Sequence, residues 1–407
     1  MKKYMLMACL IAGTSVGFAQ KKAVSEAMSL AVQEKPDFVT AESKIKEALQ
    51  NDETKNDVKT WYTAGSISIK HYEAERNKKI LKQKVDEKVM YTALYDGYTY
   101  WTKCLELDKL PDAKGKIKPK YDKEIVAKIK ECVNDFINGG AYYYDQKDYQ
   151  AAYKYFSTYA KVPENENLKD LNLAADQNYK QIPYYASLAA MNSGDNQLAI
   201  DALNFAKKVD YQRYNIYYFI TDVYKKNGQK DKYLQALKEG YEAYSDSMFF
   251  LGNLVNEYIN NKDYENAITF LKEGLKRKQD LNLYIALGEV LQAANKPEQE
   301  VKETFEAALK VDPNYAQAHY YLGRLKFNKA VEMNEAASKI PMKEVKKYNA
   351  AKEQVKATFR EALPYFKKAL ELKPNNLEYM TPIRNIYYQL NMTKEYDAID
   401  KQIKALQ

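Results

Sequence analysis

The 407-residue chain carries 63 Lys and Arg against 55 Asp and Glu, a formal net charge of +8, with only two histidines. Tyrosine is extreme at 38, whereas Gly at 14 and Pro at 11 are scarce, and Lys, Glu, Ala and Leu abound, which points to an all-helical chain without sheet. Three cysteines are too few for a disulfide-built scaffold.

The first residues read as an address. Lys2 and Lys3 form a positive start, Tyr4 to Phe18 are mostly apolar, and Gly17-Phe18-Ala19 places small residues for a cut after Ala19. This predicts a secretory signal peptide over 1–19, too short for a comfortable membrane span, and a protein that is exported and periplasmic or envelope-associated. The alternative is a lipoprotein cut before Cys9, since Leu6-Met7-Ala8-Cys9 has the right residue types. It is disfavoured, because the segment between Lys3 and Cys9 is cramped and the apolar run continues past Cys9. No other stretch is long and apolar enough to span a bilayer. Losing Lys2 and Lys3 takes the charge from +8 to +6.

From Lys21 to Gln50 two helices are expected, parted by Pro36-Asp37, with the aspartate capping the second. Pro111, Gly115 and Pro119 mark a linker over 109–120. Lysines 114, 116, 118, 120, 123, 128 and 130 gather in it and in the helix that follows. They read first as a solvated face. An anionic contact, with lipid head groups or an acidic partner, is the sharper reading. Nucleic acid is disfavoured for an exported chain.

Beyond residue 180 one pattern returns every 34 residues. Ala199, Tyr233, Ala267 and Val301 share that spacing, each followed by Leu203, Leu237, Leu271 or Phe305 and then by Ala206, Gly240, Gly274 or Ala308. The fullest copy reads Tyr284-x-x-Leu287-Gly288-x-x-Leu291, then Val301, Phe305, Ala308 and Pro313. An earlier unit has Phe136, Gly140, Tyr143, Tyr149, Ala152 and Phe156, with Pro163 one place early and a longer connection holding Glu164 to Leu173. Each unit is a helical hairpin that cannot bury its apolar face alone, so neighbours must stack. The pattern resembles the tetratricopeptide (TPR) repeat, strongly over 133–313 and more loosely over most of the rest. The resemblance implies an all-α, right-handed superhelical solenoid of TPR-like hairpins. Residues 20–131 form a divergent TPR-like region with the lysine-rich linker, and 132–407 the array proper.

Two hairpins are lengthened by insertions. Trp61-x-x-Ala64-Gly65 resembles the family's opening motif, yet Gly97, Trp101 and Cys104 follow only after Gly65 by 32 residues, where the standard repeat has about 12. The insert from Glu73 to Val89 is charged, lacks Pro and Gly, and is expected to extend both helices. Similarly, His319-x-x-Leu322-Gly323 meets its second helix only at Ala362, Phe366, Ala369 and Pro374. The helical insertion, about residues 329–355, is expected to turn at Pro341 and to protrude by roughly 20 Å at 1.5 Å per residue. Val331, Ile340, Val345 and Val355 can pack it, and Lys343, Lys346, Lys347, Lys352 and Lys356 leave a basic exterior. Near the C-terminus Tyr396, Ile399, Ile403 and Leu406 form an apolar stripe opposite Asp397, Asp400, Lys401 and Lys404, the pattern of a capping helix.

Chemistry is hard to find. His71 and His319 lie on different units; His319 takes a packing position and His71 is expected near a helix end, exposed. No zinc spacing, no Gly-x-Ser-x-Gly and no phosphate loop occurs, Gly139-Gly140 belonging to the repeat register. Hence no catalytic residues, metal site or cofactor are expected. Cys104 and Cys132 could bond in an oxidising compartment; two buried small residues are the preferred reading.

Tyr143, Tyr217, Tyr224, Tyr258 and Tyr284 fall on core positions. By resemblance, positions 2, 5, 9 and 12 of each first helix face an inner groove. Here they include Tyr144, Tyr184, Tyr218, Asp222, Lys225, Asn256, Glu289, Tyr320, Arg324, Asn385 and Tyr388, which are the candidate partner-binding residues. Tyr and Arg suit binding hot spots. The Lys and Asn at positions 5 and 9 of carboxylate-gripping relatives are absent from every unit. The expected function is a non-catalytic protein–protein interaction scaffold or adaptor of the bacterial cell envelope, holding a protein or peptide partner in the concave groove. The alternative is an outer-membrane-associated glycan-binding protein, since exposed aromatics also stack on sugars. The groove is expected to be the main site and the insertion a secondary one or an oligomer brace. Peripheral membrane association stays open.

Overall fold

The computed structural model describes residues 21–112 and 114–407, so the expected signal peptide and Cys9 lie outside the described residues. Among the described residues the chain is an all-α solenoid of paired helices with no strand. It divides into two compact units, one ending at Gly228 and the other beginning at Gln229.

The first unit opens with α1 over 21–32 and α2 (Phe38–Gln50), followed by the long pair α3 (Val58–Ile80) and α4 (Glu87–Asp108). Then come α5 (Asp122–Cys132), α6 (Asp135–Asp145), α7 (Tyr149–Lys161), α8 (Ile182–Asn192), α9 (Asn196–Ala206) and α10 (Arg213–Lys226). The connection after α7 is folded into short 3-10 turns between Val162 and Gln181. The second unit holds α11 (Lys230–Ala243), α12 (Met248–Asn260), α13 (Tyr264–Arg277), α14 (Leu281–Ala293) and α15 (Glu298–Val311). The second long pair, α16 (Ala316–Ser338) and α17 (Val345–Leu372), follows, and then α18 (Leu377–Gln389) and α19 (Thr393–Leu406). Both insertions lengthen their helices as expected, and Pro341 lies in the turn between α16 and α17.

Local chemistry starts many of these helices. Asp37, Asp148, Asp195 and Asp263 each accept a hydrogen bond from a backbone N–H two or three residues into the helix that follows. Such a cap satisfies a donor that the first turn leaves orphaned and is worth about 1 kcal/mol. Just before three of these caps the chain takes one left-handed residue, at Lys147, Gly194 and Lys262, which reverses its direction within a short turn.

Packing between paired helices follows the small-against-large rule read from the spacing. A Cβ built on Gly288 would stand 2.2 Å from Cε1 of Phe305, a fully buried ring of the next helix. Gly65 meets the indole of Trp101 in the same way, with 2.1 Å to Cδ1. Close approach therefore requires glycine at both positions.

The lysine-rich linker does not separate two cores. Asp108, itself buried, accepts hydrogen bonds from the backbone N–H groups of Lys120 (2.7 Å) and Tyr121 (2.6 Å) and so folds the linker back on α4. Tyr62 stacks on Tyr121 at 4.1 Å and donates to Glu124 at 2.6 Å. One apolar core accordingly runs from Ile69 through Trp101, Ile125 and Phe136 to Ala189. Its centre is aromatic: Tyr155 lies 5.1 Å from Tyr143, 5.9 Å from Phe136 and 6.1 Å from Tyr91, centroid to centroid. Much of the surplus tyrosine is packing material, and each such pair adds about 0.5–1.5 kcal/mol beyond area burial.

His71 departs from expectation. It sits inside α3 rather than near its end, is largely buried, stacks on Phe38 at 4.5 Å and pairs through Nδ1 with Glu42 at 2.8 Å. Lengthening α3 carried it away from the helix terminus.

Cys104 and Cys132 are buried free thiols. Each Sγ lies 3.6 Å from a backbone carbonyl oxygen, of Val58 and Ile129 respectively. Burial pushes both thiols up to about 12. The fold thus holds the protonated form below that value, whereas an unfolded thiol ionises near 8.5. This part of the stability is complete below the unfolded value and is lost as pH rises towards 12. Two results are expected. Maleimide should label neither cysteine in the native chain at neutral pH and both in denaturant, and the first unit should melt lower as pH is raised from about 9 to 11. Labelling of the native chain as fast as of the unfolded one would contradict the burial.

Candidate partner-binding surface

The candidate residues sit on the first helix of successive hairpins, and within each unit side-chain contacts tie neighbouring first helices to one another. In the first unit, Asn192 of α8 donates to the hydroxyl of Tyr144 on α6 at 2.8 Å. Tyr184 of α8 stacks on Phe219 of α10 at 6.5 Å and meets Tyr211 edge-on at 5.7 Å. Tyr218, beside Phe219, is exposed, as is Lys225, and Asp222 pairs with Lys226 at 2.7 Å. Tyr144 and Tyr184 are half-buried.

In the second unit the hub is Arg324. Its guanidinium donates to Gln292 of α14 at 2.9 Å, lies 3.7 Å from the Glu289 carboxylate, and covers the ring of Tyr321 at 4.2 Å. A flat cation suits Arg to this bridging position, since its plane covers the ring while one nitrogen reaches both Gln292 and Glu289. Burial, with the nearby Glu289 carboxylate, pushes the Tyr321 hydroxyl far up, so it stays a neutral donor. Tyr320 is turned towards α17 and α18, against Phe366 (5.7 Å) and Tyr379 (5.1 Å), and is half-buried there. Asn256 of α12 and Asn385 of α18 are exposed, and Tyr388 is 68% exposed with its ring 6.0 Å from Tyr396.

Of the residues named from sequence, Glu289 and Arg324 come together directly, while Tyr144 meets Asn192 and Tyr184 meets Phe219 on the neighbouring first helix. Asn192, Phe219, Gln292 and Tyr321 were missed. Gln292 holds position 12, itself a groove position, and could have been named from the register; Asn192, Phe219 and Tyr321 lie one place beyond a groove position, and only the inter-helix contacts single them out. The core tyrosines fare unevenly: Tyr143 and Tyr258 are buried, and Tyr217, Tyr224 and Tyr284 are half-buried.

Elsewhere in the first unit a cleft of about 290 Å³ opens between the second helices α7 and α9, lined by Tyr153, Ser157, Lys161, Asp201 and Lys208. It is off the first-helix face. Among the described residues no group of three or more His, Cys, Asp or Glu side chains could hold a metal ion, and no helix is long and apolar enough to cross a membrane. His319 is engaged by the Pro313 carbonyl at 2.9 Å.

Residues 285–406, from α14 to α19, match the family model described as Regulator of microtubule dynamics protein 1-3. That is less than a third of the chain. No curated protein matches the sequence. Several solved bacterial proteins are similar at low identity. The C-terminal part of a TPR repeat-containing protein from Cytophaga hutchinsonii is 16% identical, with 66% of this chain and 93% of that chain covered and a TM-score of 0.39. A TPR repeats protein from Bacteroides fragilis is 20% identical, covering 63% and 98%, with a TM-score of 0.33. The pilF protein of Pseudomonas aeruginosa is 14% identical, covering 56% and 91%, with a TM-score of 0.35.

Proposed function

We propose that in each unit the first-helix face is a docking surface for a protein or peptide, and that the chain is a non-catalytic interaction scaffold of the bacterial envelope. The observation that carries this reading is the network joining first helix to first helix. Asn192–Tyr144 in one unit and Arg324–Gln292–Glu289 in the other hold polar groups in fixed positions, beside exposed Tyr218, Asn256, Asn385 and Tyr388. Pre-positioned side chains lose little entropy on binding, and exposed tyrosines give rigid contact area with a polar end. The envelope assignment rests on Lys2, Lys3 and the apolar run to Ala19. The partner would lie along the groove without a carboxylate clamp, contacting ring faces and amides.

The test is crosslinked capture from the envelope fraction of the native host, followed by mass spectrometry. A reproducible protein partner whose crosslinks map to α8, α10, α16 or α18 supports the proposal. Retention on polysaccharide with no protein captured would replace it by the glycan-binding reading.

A further inference from the structure

Both lengthened hairpins end in the same combination of side chains. At the tip between α16 and α17, Met342 is 96% exposed, Val345 58% exposed, and Tyr348 is exposed one turn on. Over 339–352 these sit among Lys339, Lys343, Lys346, Lys347 and Lys352, with Glu344 the sole acid. The shaft below is well made. Ala330, Ala337, Val355 and Phe359 close its apolar seam, Phe327 packs on Phe359 at 5.4 Å, and Lys352 donates to Asn334 at 2.6 Å. Between Ala337 and Val355 no side chain is buried. The tip is therefore an ordered protrusion that leaves its own apolar side chains uncovered.

The tip between α3 and α4 repeats this. Lys78 is tied down by Glu75, and Lys79 by Glu87 at 2.7 Å. Beyond them Ile80 (63%) and Leu81 (66%) are exposed, followed by exposed Lys82 and Lys84.

We propose that each tip inserts its apolar side chains into the headgroup region of an anionic phospholipid bilayer, with the surrounding lysines against the phosphates. Charge complementarity selects an acidic surface, and shape selects a bilayer over a protein. A stable protein interface needs about 800 Å² per partner, and a convex tip of two or three apolar side chains cannot supply it. Interfacial insertion requires only such side chains and a basic rim, and long lysine stems let the charge stay in the headgroups as the tip enters. This inference goes beyond the docking surface and does not depend on it.

The test uses the full chain with vesicles of phosphatidylcholine alone or mixed with phosphatidylglycerol. The mostly apolar stretch from Tyr4 to Phe18 is common to every form, so the readout is the difference between variants. Lys343→Glu with Lys346→Glu and Lys347→Glu should weaken binding to the phosphatidylglycerol vesicles by about a hundredfold. Met342→Ser with Val345→Ser should weaken it by about tenfold and leave the salt dependence in place. Tyr348→Trp, after subtraction of the parent's emission from Trp61 and Trp101, should show a blue shift with the anionic vesicles only. Unchanged binding by the triple charge variant overturns the proposal. So does a Tyr348→Trp difference spectrum unmoved by vesicles that nevertheless carry the chain down, because the tip is then not the part that enters. Ile80→Ser with Leu81→Ser tests the other tip by the same measure.

Discussion

Gly288→Leu is expected to destabilise the second unit by at least about 1–3 kcal/mol, the usual cost of overpacking. The magnitude follows from Phe305, whose Cε1 would lie 2.2 Å from the first added carbon and which has no exposed surface to retreat into. For a unit of this size each kcal/mol shifts the melting point by about 2–4 °C, so a fall of about 2–12 °C should be seen. Gly252, on α12 of the same unit, supplies the opposite sign: a Cβ there would meet nothing within 4 Å. Gly252→Ala should stabilise by about 0.5–1 kcal/mol, because alanine loses less backbone freedom in a helix. Calorimetry of both variants checks the pair. An unchanged melting profile for Gly288→Leu would show that α14 and α15 do not approach at this glycine and that the repeat register is wrong.

That register was legible because small and large residues recur at a fixed spacing, and in the fullest copies the small residue lies against a ring, as Gly140 does against Phe156 and Gly288 against Phe305. The start of α2 was legible too, since Asp37 is a strong cap whatever the tertiary context, and the structure shows Asp148, Asp195 and Asp263 acting in the same way. The lysine-rich linker was legible as a break between helices, from Pro111, Gly115 and Pro119, but its packing was not: Asp108 folds the segment back and the core continues from Leu105 to Ile125. The compact units part at Gly228 and Gln229, inside a stretch where the 34-residue period runs on without a break. Periodicity records which residues face a neighbour, not how many neighbours each unit gathers. The candidate surface was legible only as helix positions. Whether a position presents its side chain or packs it depends on residues far apart in sequence, as Tyr320 against Tyr379 shows. The partner's chemistry was not legible, because a groove of Tyr, Asn and Arg can face many polar chains.

The separation of groove from arm is the second large effect expected. Arg324→Ala combined with Asn385→Ala and Tyr388→Ala should lower capture of the envelope partner by at least about tenfold while leaving helicity intact, since hot-spot truncations cost more than about 1 kcal/mol each. Tyr320 is left in place, because its ring is wedged between Phe366 and Tyr379 and its removal would open a cavity and confuse binding with folding. The complementary variant replaces residues 338–354 by a short Gly-Ser turn. Nothing in that stretch is buried, so Ala337, Val355 and Phe359 keep their seam and the stack should melt as before. The shortened chain should capture the partner as well as wild type and lose the binding to anionic vesicles that the tip between α16 and α17 confers. Circular dichroism confirms that both variants are folded before either is compared. If shortening the arm abolishes capture while the groove variant retains it, the partner sits on the arm and the first-helix face is not the docking surface.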